Sequence, residues 1–221
     1  MKLTIVAATG GVGRQLLDRA LTAGHHVAAV VRNPDKLPAR VHAIVVDLAN
    51  AEPAELLPAF DGADAVLSCL GAPSSSDAGI VSTGTRTIVT AMCGTEVRRI
   101  VAISAAPIGS VASPTRPHPP KHDPGDGVGV RHVLAPIVKM AFRKPYADLA
   151  VMEDILRASG LDWTALRPPR LVNKHATGTY RTAIGQNLRG GTSISRADLA
   201  DAMLGVLHHP ETIQQTVGIA Y

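Results

Sequence analysis

The sequence predicts an α/β protein, a doubly wound parallel sheet in a three-layer α/β/α arrangement. Three observations carry that expectation. Short apolar runs alternate with helix-periodic stretches along the chain, with no repeat period. The first run has the apolar character of a strand buried on both faces. It leads through a glycine-rich turn into a helix, the opening of a βα unit.

The elements follow in order. Leu3, Ile5 and Val6 form the first strand, and Val12, Leu16, Leu17, Ala20 and Leu21 recur at helical spacing behind it. Ala23-Gly24 closes that helix. His26 to Val31 is the second strand and His42 to Val46 the third. Residues 53 to 59 read as a short helix starting near Pro53. Ala63 to Ser68 is the fourth strand, followed by the small turn Cys69-Leu70-Gly71-Ala72-Pro73. Gly79 to Cys93 is a long helix with Val81, Ile88, Val89 and Met92 inward. Arg99 to Ile103 is the fifth strand and ends in Ser104. From Ala105 to about Lys144 the chain is irregular and proline-rich, with a possible helix from Val133 to Phe142. Tyr146 to Ala158 is a helix with Leu149, Met152, Ile155 and Leu156 on one face, ended by Ser159-Gly160. Asp162 to Arg167 is a strand, residues 178 to 184 are extended, and Val217 to Ala220 is a final strand. Ser195 caps the last helix, with Asp198 completing a capping-box variant.

The first turn, Ala7-Ala8-Thr9-Gly10-Gly11-Val12-Gly13, has the chemistry of an anion site. Glycines let backbone N–H groups approach a ligand, and the helix N-terminus adds partial positive charge, which suits a pyrophosphate. The second strand ends at Arg32-Asn33-Pro34-Asp35-Lys36. An NAD-binding unit places an acid there for the adenosine ribose. Arg32 stands in that place, and a guanidinium can grip a 2′-phosphate in a fork. With Lys36 adding a second positive charge, the chain favours NADP(H), with Asp35 as the competing ribose partner. Asp47, after the third strand, either accepts from an adenine amino group or caps the next turn.

Composition narrows the class. Aromatic residues are only 3%, so the core is mainly Ala, Val, Leu and Ile. No apolar run has membrane-spanning length, and the N-terminus enters a strand directly. Cys69 and Cys93, the two cysteines, sit in segments that read as buried, as reduced thiols of a cytoplasmic protein. The net charge of +4 is local: residues 116 to 144 hold six basic and two acidic side chains. Without interleaved aromatics this reads as solvated loop, not a nucleic-acid surface. His118, His122 and His132 straddle Pro119-Pro120, which forbids a helical metal pair, so no metal is expected.

The turn Ala8-Thr9-Gly10-Gly11-Val12-Gly13, the pair Arg32-Asn33, and the run Ser159-Gly160-Leu161-Asp162-Trp163-Thr164-Ala165-Leu166-Arg167-Pro168 together resemble the atypical short-chain dehydrogenase/reductase group. The turn is similar to that superfamily's G-x-x-G-x-x-G, with Ala7 in the first glycine position. Within the group, the chain resembles NAD(P)H-binding proteins related to biliverdin/flavin reductase and to NmrA-type proteins. Ile194-Ser195-Arg196-Ala197-Asp198-Leu199-Ala200 extends the likeness nearly end to end.

The resemblance implies a Rossmann-like fold over residues 1–221 as one NAD(P)-binding domain, with the irregular excursion at about 105–144. Thr9, Gly10, Gly11, Val12 and Gly13 would hold the pyrophosphate, and Arg32, beside Asn33 and Lys36, the 2′-phosphate. Asp47 and Leu48 would sit by the adenine. Leu70, Gly71, Ser104 and Ala105 would line the ribose and nicotinamide side, with Pro168, Pro169 and Arg170 closing the nicotinamide end. Arg167 reads as a structural partner of the sheet end.

The chain departs from the superfamily at its acid/base pair. Tyr146 is followed four residues on by Ala150 where a lysine is standard. Tyrosine titrates near pH 10 without such help. Ser104 and Tyr146 are the candidate catalytic residues, and Glu153 reads as a solvent-facing or cap-pairing carboxylate. The expected activity is therefore hydride transfer from NADPH to a flavin, tetrapyrrole or quinone-like acceptor that needs little protein acid. A planar and anionic acceptor would lie in a cleft near Trp163, Tyr180 and the excursion, drawn by Lys121 and Arg131, though Trp163 reads first as core. The alternative is a non-catalytic NADP(H)-binding regulator of NmrA type. A monomer or small homo-oligomer is expected, with no nucleic-acid or membrane partner.

Overall fold

The structure is a computed structural model that describes residues 1–71, 79–127 and 142–221. Its strands are β1 (Lys2–Val6), β2 (His26–Val31), β3 (His42–Val45), β4 (Ala65–Ser68), β5 (Arg99–Ile103), β6 (Asp162–Arg167), β7 (Arg170–Val172), β8 (Arg181–Ile184), β9 (Ser193–Ser195) and β10 (Gln215–Ala220). The helices are α1 (Gly11–Thr22), α2 (Leu57–Phe60), α3 (Ile80–Cys93), α4 (Arg143–Ala158) and α5 (Arg196–Gly205). Eight strands make one sheet in the order β3-β2-β1-β4-β5-β6-β10-β8, and β7 pairs β9 in a separate parallel ribbon. Every pairing in the main sheet is parallel except β8 against β10. This is the Rossmann-like α/β fold that the strand-helix alternation predicts.

The two faces of the sheet have separate cores. On one, Leu16, Leu17 and Ala20 of α1 meet Leu199, Ala200 and Met203 of α5. On the other, Ile88 and Met92 of α3 meet Met152 and Leu156 of α4, with Trp163 of β6. Strand alternation sorts the residues: Leu3 and Ile5 face the first layer and Val6 the second. Trp163 is a core residue, and Tyr180 packs on the first core while its hydroxyl donates to Asp201. Neither lines a ligand cleft, which corrects the expected acceptor site around them.

Other departures are local. Residues 53 to 59 are a 3-10 turn, Pro53–Leu56, followed by the single turn of α2, because Pro53 and Pro58 lack the N–H groups a continuous helix uses. Helix α4 begins at Arg143, earlier than expected, since Pro145 is tolerated in a first turn. Cys93, the last residue of α3, is exposed, not buried. Most of the expected 133–142 helix, the turn Ala72-Pro73, Arg131 and His132 lie outside the described residues. Among the described residues, no helix is long and apolar enough to cross a membrane, and no group of three or more His, Cys, Asp or Glu is placed to hold a metal.

Candidate functional site

A cleft of 720 Å³ opens at the C-terminal ends of β1, β2 and β4. The strand order reverses here, since β2 lies on one side of β1 and β4 on the other. Ligands of open α/β sheets bind at such a crossing point. Thr9, Gly10, Gly11 and Val12 form its floor. Arg32, Asn33 and Lys36 line the end of β2, Asp47 and Leu48 the end of β3, and Leu70 and Gly71 the end of β4. The structure thus gathers residues far apart in sequence around one cavity.

The floor is built for an anion. Helix α1 begins with Gly10 as N-cap, has no side-chain cap and carries no acid in its first turn. Its N-terminal N–H groups and dipole are therefore uncompensated. Helix α3, which also starts at the cleft, is capped already: Asp148 accepts from Val81 N at 3.1 Å and Ser82 N at 3.0 Å. The turn leading to α1 is held tightly. Ala7 has φ 57° in the first glycine position, a left-handed geometry that costs a non-glycine residue roughly 1–2 kcal/mol. Gly13 lies behind the floor and does not line the cleft. A Cβ on it would stand 2.2 Å from the Ala7 carbonyl oxygen, so only glycine lets α1 pack against the strand end.

At the end of β2, Arg32 and Lys36 are exposed and neither forms an ion pair among the described residues. Asn33 Oδ1 accepts from Asp35 N at 2.8 Å and so caps the turn Pro34–Lys36. Asp35 does not line the cleft. Asp47 does, while its Oδ1 also accepts from Ala49 N at 3.3 Å. The uncapped helix, the close-packed glycine and the unpaired cations together fit a dinucleotide. Arg196 and Leu171 also line the cleft, and neither was anticipated. The run Ile194–Ala200 marked the helix but not the reach of its first side chain. Cys69 lines it too, with a thiol that burial pushes up to about 12.

A second cavity of 720 Å³ lies beyond the ribbon of β7 and β9. Pro169, Arg170 and Tyr146 line it, with Pro107, Phe142, Leu188 and Ile219 as apolar wall and Lys174 as a further cation. Lys121 does not line it. The Tyr146 ring lies 5.7 Å from that of Phe142, centroid to centroid. Burial raises the Tyr146 phenol above its ordinary value, and no cation among the described residues pulls it down. Its position does not make it a stronger acid.

Ser104, Ala105 and Pro168 line neither cavity. Ser104 N donates to Leu166 O and Ala106 N donates to Pro168 O, which ties the ends of β5 and β6 together, while Ala105 O accepts from Ile108 N in the turn that follows β5. The Ser104 hydroxyl, expected to face the reacting end, donates instead to Glu153 Oε1 at 2.7 Å. Glu153 is fully buried, not solvent-facing. It also accepts from Arg167 Nε at 2.8 Å, Arg167 Nη2 at 2.6 Å and Arg157 Nη2 at 2.6 Å. Burial would raise its pKa, but the bonds from Arg167 and Ser104 and the charge of Arg157 outweigh that and leave it lowered. Arg167 is the partner of the sheet end that its sequence context suggests, and its guanidinium also lines the second cavity.

Comparison with known proteins agrees with this geometry. Residues 7–210 match the family model described as NAD(P)H-binding. The uncharacterised protein YwnB of Bacillus subtilis is 27% identical over 96% of this chain and 94% of its own length. A candidate NADH-flavin reductase from Streptococcus pneumoniae has a similar structure, with a TM-score of 0.75 and 26% identity, covering 100% of this chain and 99% of that one. The anaerobilin reductase ChuY of Escherichia coli O157:H7 shares the fold, with a TM-score of 0.76 and 22% identity, over 100% and 97% of the two chains.

Proposed function

The chain belongs to the NAD(P)H-binding family, and we propose that it is an oxidoreductase that takes NADP(H) in the cleft at β1 and a planar, anionic acceptor in the second cavity. The acceptor class is a flavin, a tetrapyrrole or a quinone. The observation that carries the reading is the wall between the cavities. Leu171 of β7 faces the cofactor cleft, while Arg170 and Val172 face the second cavity, as alternation along one strand requires. A single strand therefore borders both ligand spaces, and a nicotinamide and an acceptor would have to meet past its end, because hydride transfer needs the reacting atoms about 3–3.5 Å apart. The reductases among the structural relatives support the acceptor class.

The chain's residues do three things in this reading. The floor of glycine N–H groups and Arg32 with Lys36 fix the cofactor at its charged ends. The apolar wall of Phe142, Pro107 and Ile219 excludes water around the acceptor, and Arg170 with Lys174 attracts its negative charge. A bound reduced nicotinamide supplies a hydride, so the acceptor gains two electrons and one hydrogen, and solvent supplies the balancing proton. No protein acid is needed, which suits a Tyr146 that titrates above its ordinary value. Rate enhancement then comes from orientation.

The test is steady consumption of NADPH with FMN, FAD, biliverdin or a quinone, followed by the loss of dihydronicotinamide absorbance. Tight cofactor binding with no turnover on any of these acceptors would overturn the reading. That same result is what the second reading, a non-catalytic NADP(H)-binding regulator, requires. It is favoured by Ser104, whose hydroxyl is engaged by Glu153, and by the absence of a lysine in register with Tyr146.

A further inference from the structure

Arg196 stands at the start of α5, in the wall of the cofactor cleft. Ser195 before it caps the helix, its hydroxyl oxygen accepting from Asp198 N at 2.9 Å, so the backbone of Arg196 is fixed. The side chain crosses to the glycine turn. A Cβ placed on Gly11 would lie 2.8 Å from Arg196 Nε and 3.0 Å from its Cδ. The guanidinium thus covers Gly11, the first residue of α1. Its Nη1 donates to Asn173 Oδ1 at 2.6 Å, just past the end of β7. No carboxylate among the described residues pairs with it.

We propose that Arg196 is a clamp for the cofactor's diphosphate, gripping it beside the α1 N-terminus from the wall of the cleft. The proposal rests on the cofactor reading above and adds a residue to it. An unpaired guanidinium beside an uncapped helix N-terminus places two like charges together, which an anion bound to both relieves. Asn173 leaves the Nε and Nη2 edge free for two parallel bonds to phosphate oxygens. Glycine at position 11 is what admits the side chain. Arg32 and Lys36 lie at the end of β2, so the two groups of cations divide the work: those two hold the 2′-phosphate and Arg196 holds the diphosphate common to NADPH and NADH.

The experiment is calorimetric titration of NADPH and of NADH into the wild-type chain and into Arg196→Ala, Arg196→Lys and Gly11→Ala variants, with thermal melts to confirm folding. Loss of a charge-assisted contact predicts that Arg196→Ala weakens both cofactors about tenfold or more, by the same factor. Arg196→Lys recovers part of the loss. Gly11→Ala, which leaves the arginine present but pushes it aside and places a methyl on the floor, weakens both as well. Unchanged affinity in Arg196→Ala, or a loss confined to NADPH, would overturn the proposal. Wild-type chain that binds neither nucleotide would overturn the cofactor reading itself, a separate outcome.

Discussion

Replacing Glu153 should be among the most damaging single changes on the α4 face, though the residue reads as ordinary in sequence. Its carboxylate accepts four hydrogen bonds, one from Ser104, two from Arg167 and one from Arg157. Arg167 is only 4% exposed. Glu153→Ala would leave that guanidinium buried without its counter-ion, which costs about 3–5 kcal/mol. For a chain of this size that is a fall of roughly 6–20 °C in melting temperature. The double variant Glu153→Leu/Arg167→Met removes both charges at similar volume and should return most of the stability, because a buried ion pair contributes little net against apolar packing. Urea unfolding of the wild type and of the two single and one double variants measures the coupling. A pH series adds a sign. Glu153 has a lowered pKa in the folded chain, so its contribution is complete above the unfolded carboxyl value and is lost as pH falls through the folded one. A single variant that costs less than about 1 kcal/mol, or a double variant no better than the worse single one, would refute this account of the site.

Arg32→Ala should weaken NADPH binding by about tenfold or more and NADH binding little, read by titration of each, since only NADPH carries the 2′-phosphate. Tyr146→Phe should leave turnover within about threefold of wild type in an acceptor assay, because proton transfer by a positioned acid contributes far more than that where it operates. Gly13→Ala should lower both melting temperature and nucleotide affinity, as its methyl would collide with the Ala7 carbonyl at 2.2 Å. Asp198 has a folded pKa of about 2, lowered by bonds from Tyr221, Gly178, Thr177 and Ser195 that outweigh its burial. Its stabilisation is therefore whole above the ordinary carboxyl range and lost as pH falls towards about 2, and an Asp198→Asn variant should show a flatter acid limb in a pH series of melts.

The parts of the fold legible in sequence are those with periodic burial. Strands β2, β5 and β6 begin and end where their apolar runs do, and α1, α3 and α4 follow their helical stripes. The glycine floor of the cleft was legible because its residues are consecutive between a strand and a helix. The ribbon of β7 and β9 was not, since strands of three residues hold too little pattern to read. Glu153 failed for a different reason. A lone charged residue in a helix is normally solvated, and only the approach of Arg167 from a distant strand reverses that. Arg196 carries no local signal in the sequence, because its contact with Gly11 depends on α1 and α5 packing side by side.

Two buried carboxylates, one on each face of the sheet, hold the rim where ligands would meet. Glu153 fixes the ends of β5 and β6 through Ser104 and Arg167. Asp198 accepts from Thr177 N and Gly178 N, both at 2.9 Å, from Ser195 Oγ at 2.9 Å and from the Tyr221 hydroxyl at 2.6 Å. Through these it ties the segment after β7, the end of β9 and the last residue of the chain to α5. Tyr221 N in turn donates to Ser193 O in β9. The strand ribbon between the two cavities is thus anchored on both sides by charges that cannot leave without exposing an unpaired partner. A carboxylate held this way is a poor general acid, because its pKa is lowered and its lone pairs are occupied. The ionisable groups of this rim are suited to fixing geometry and not to moving protons, which is what hydride transfer to a self-stabilised acceptor would ask of them.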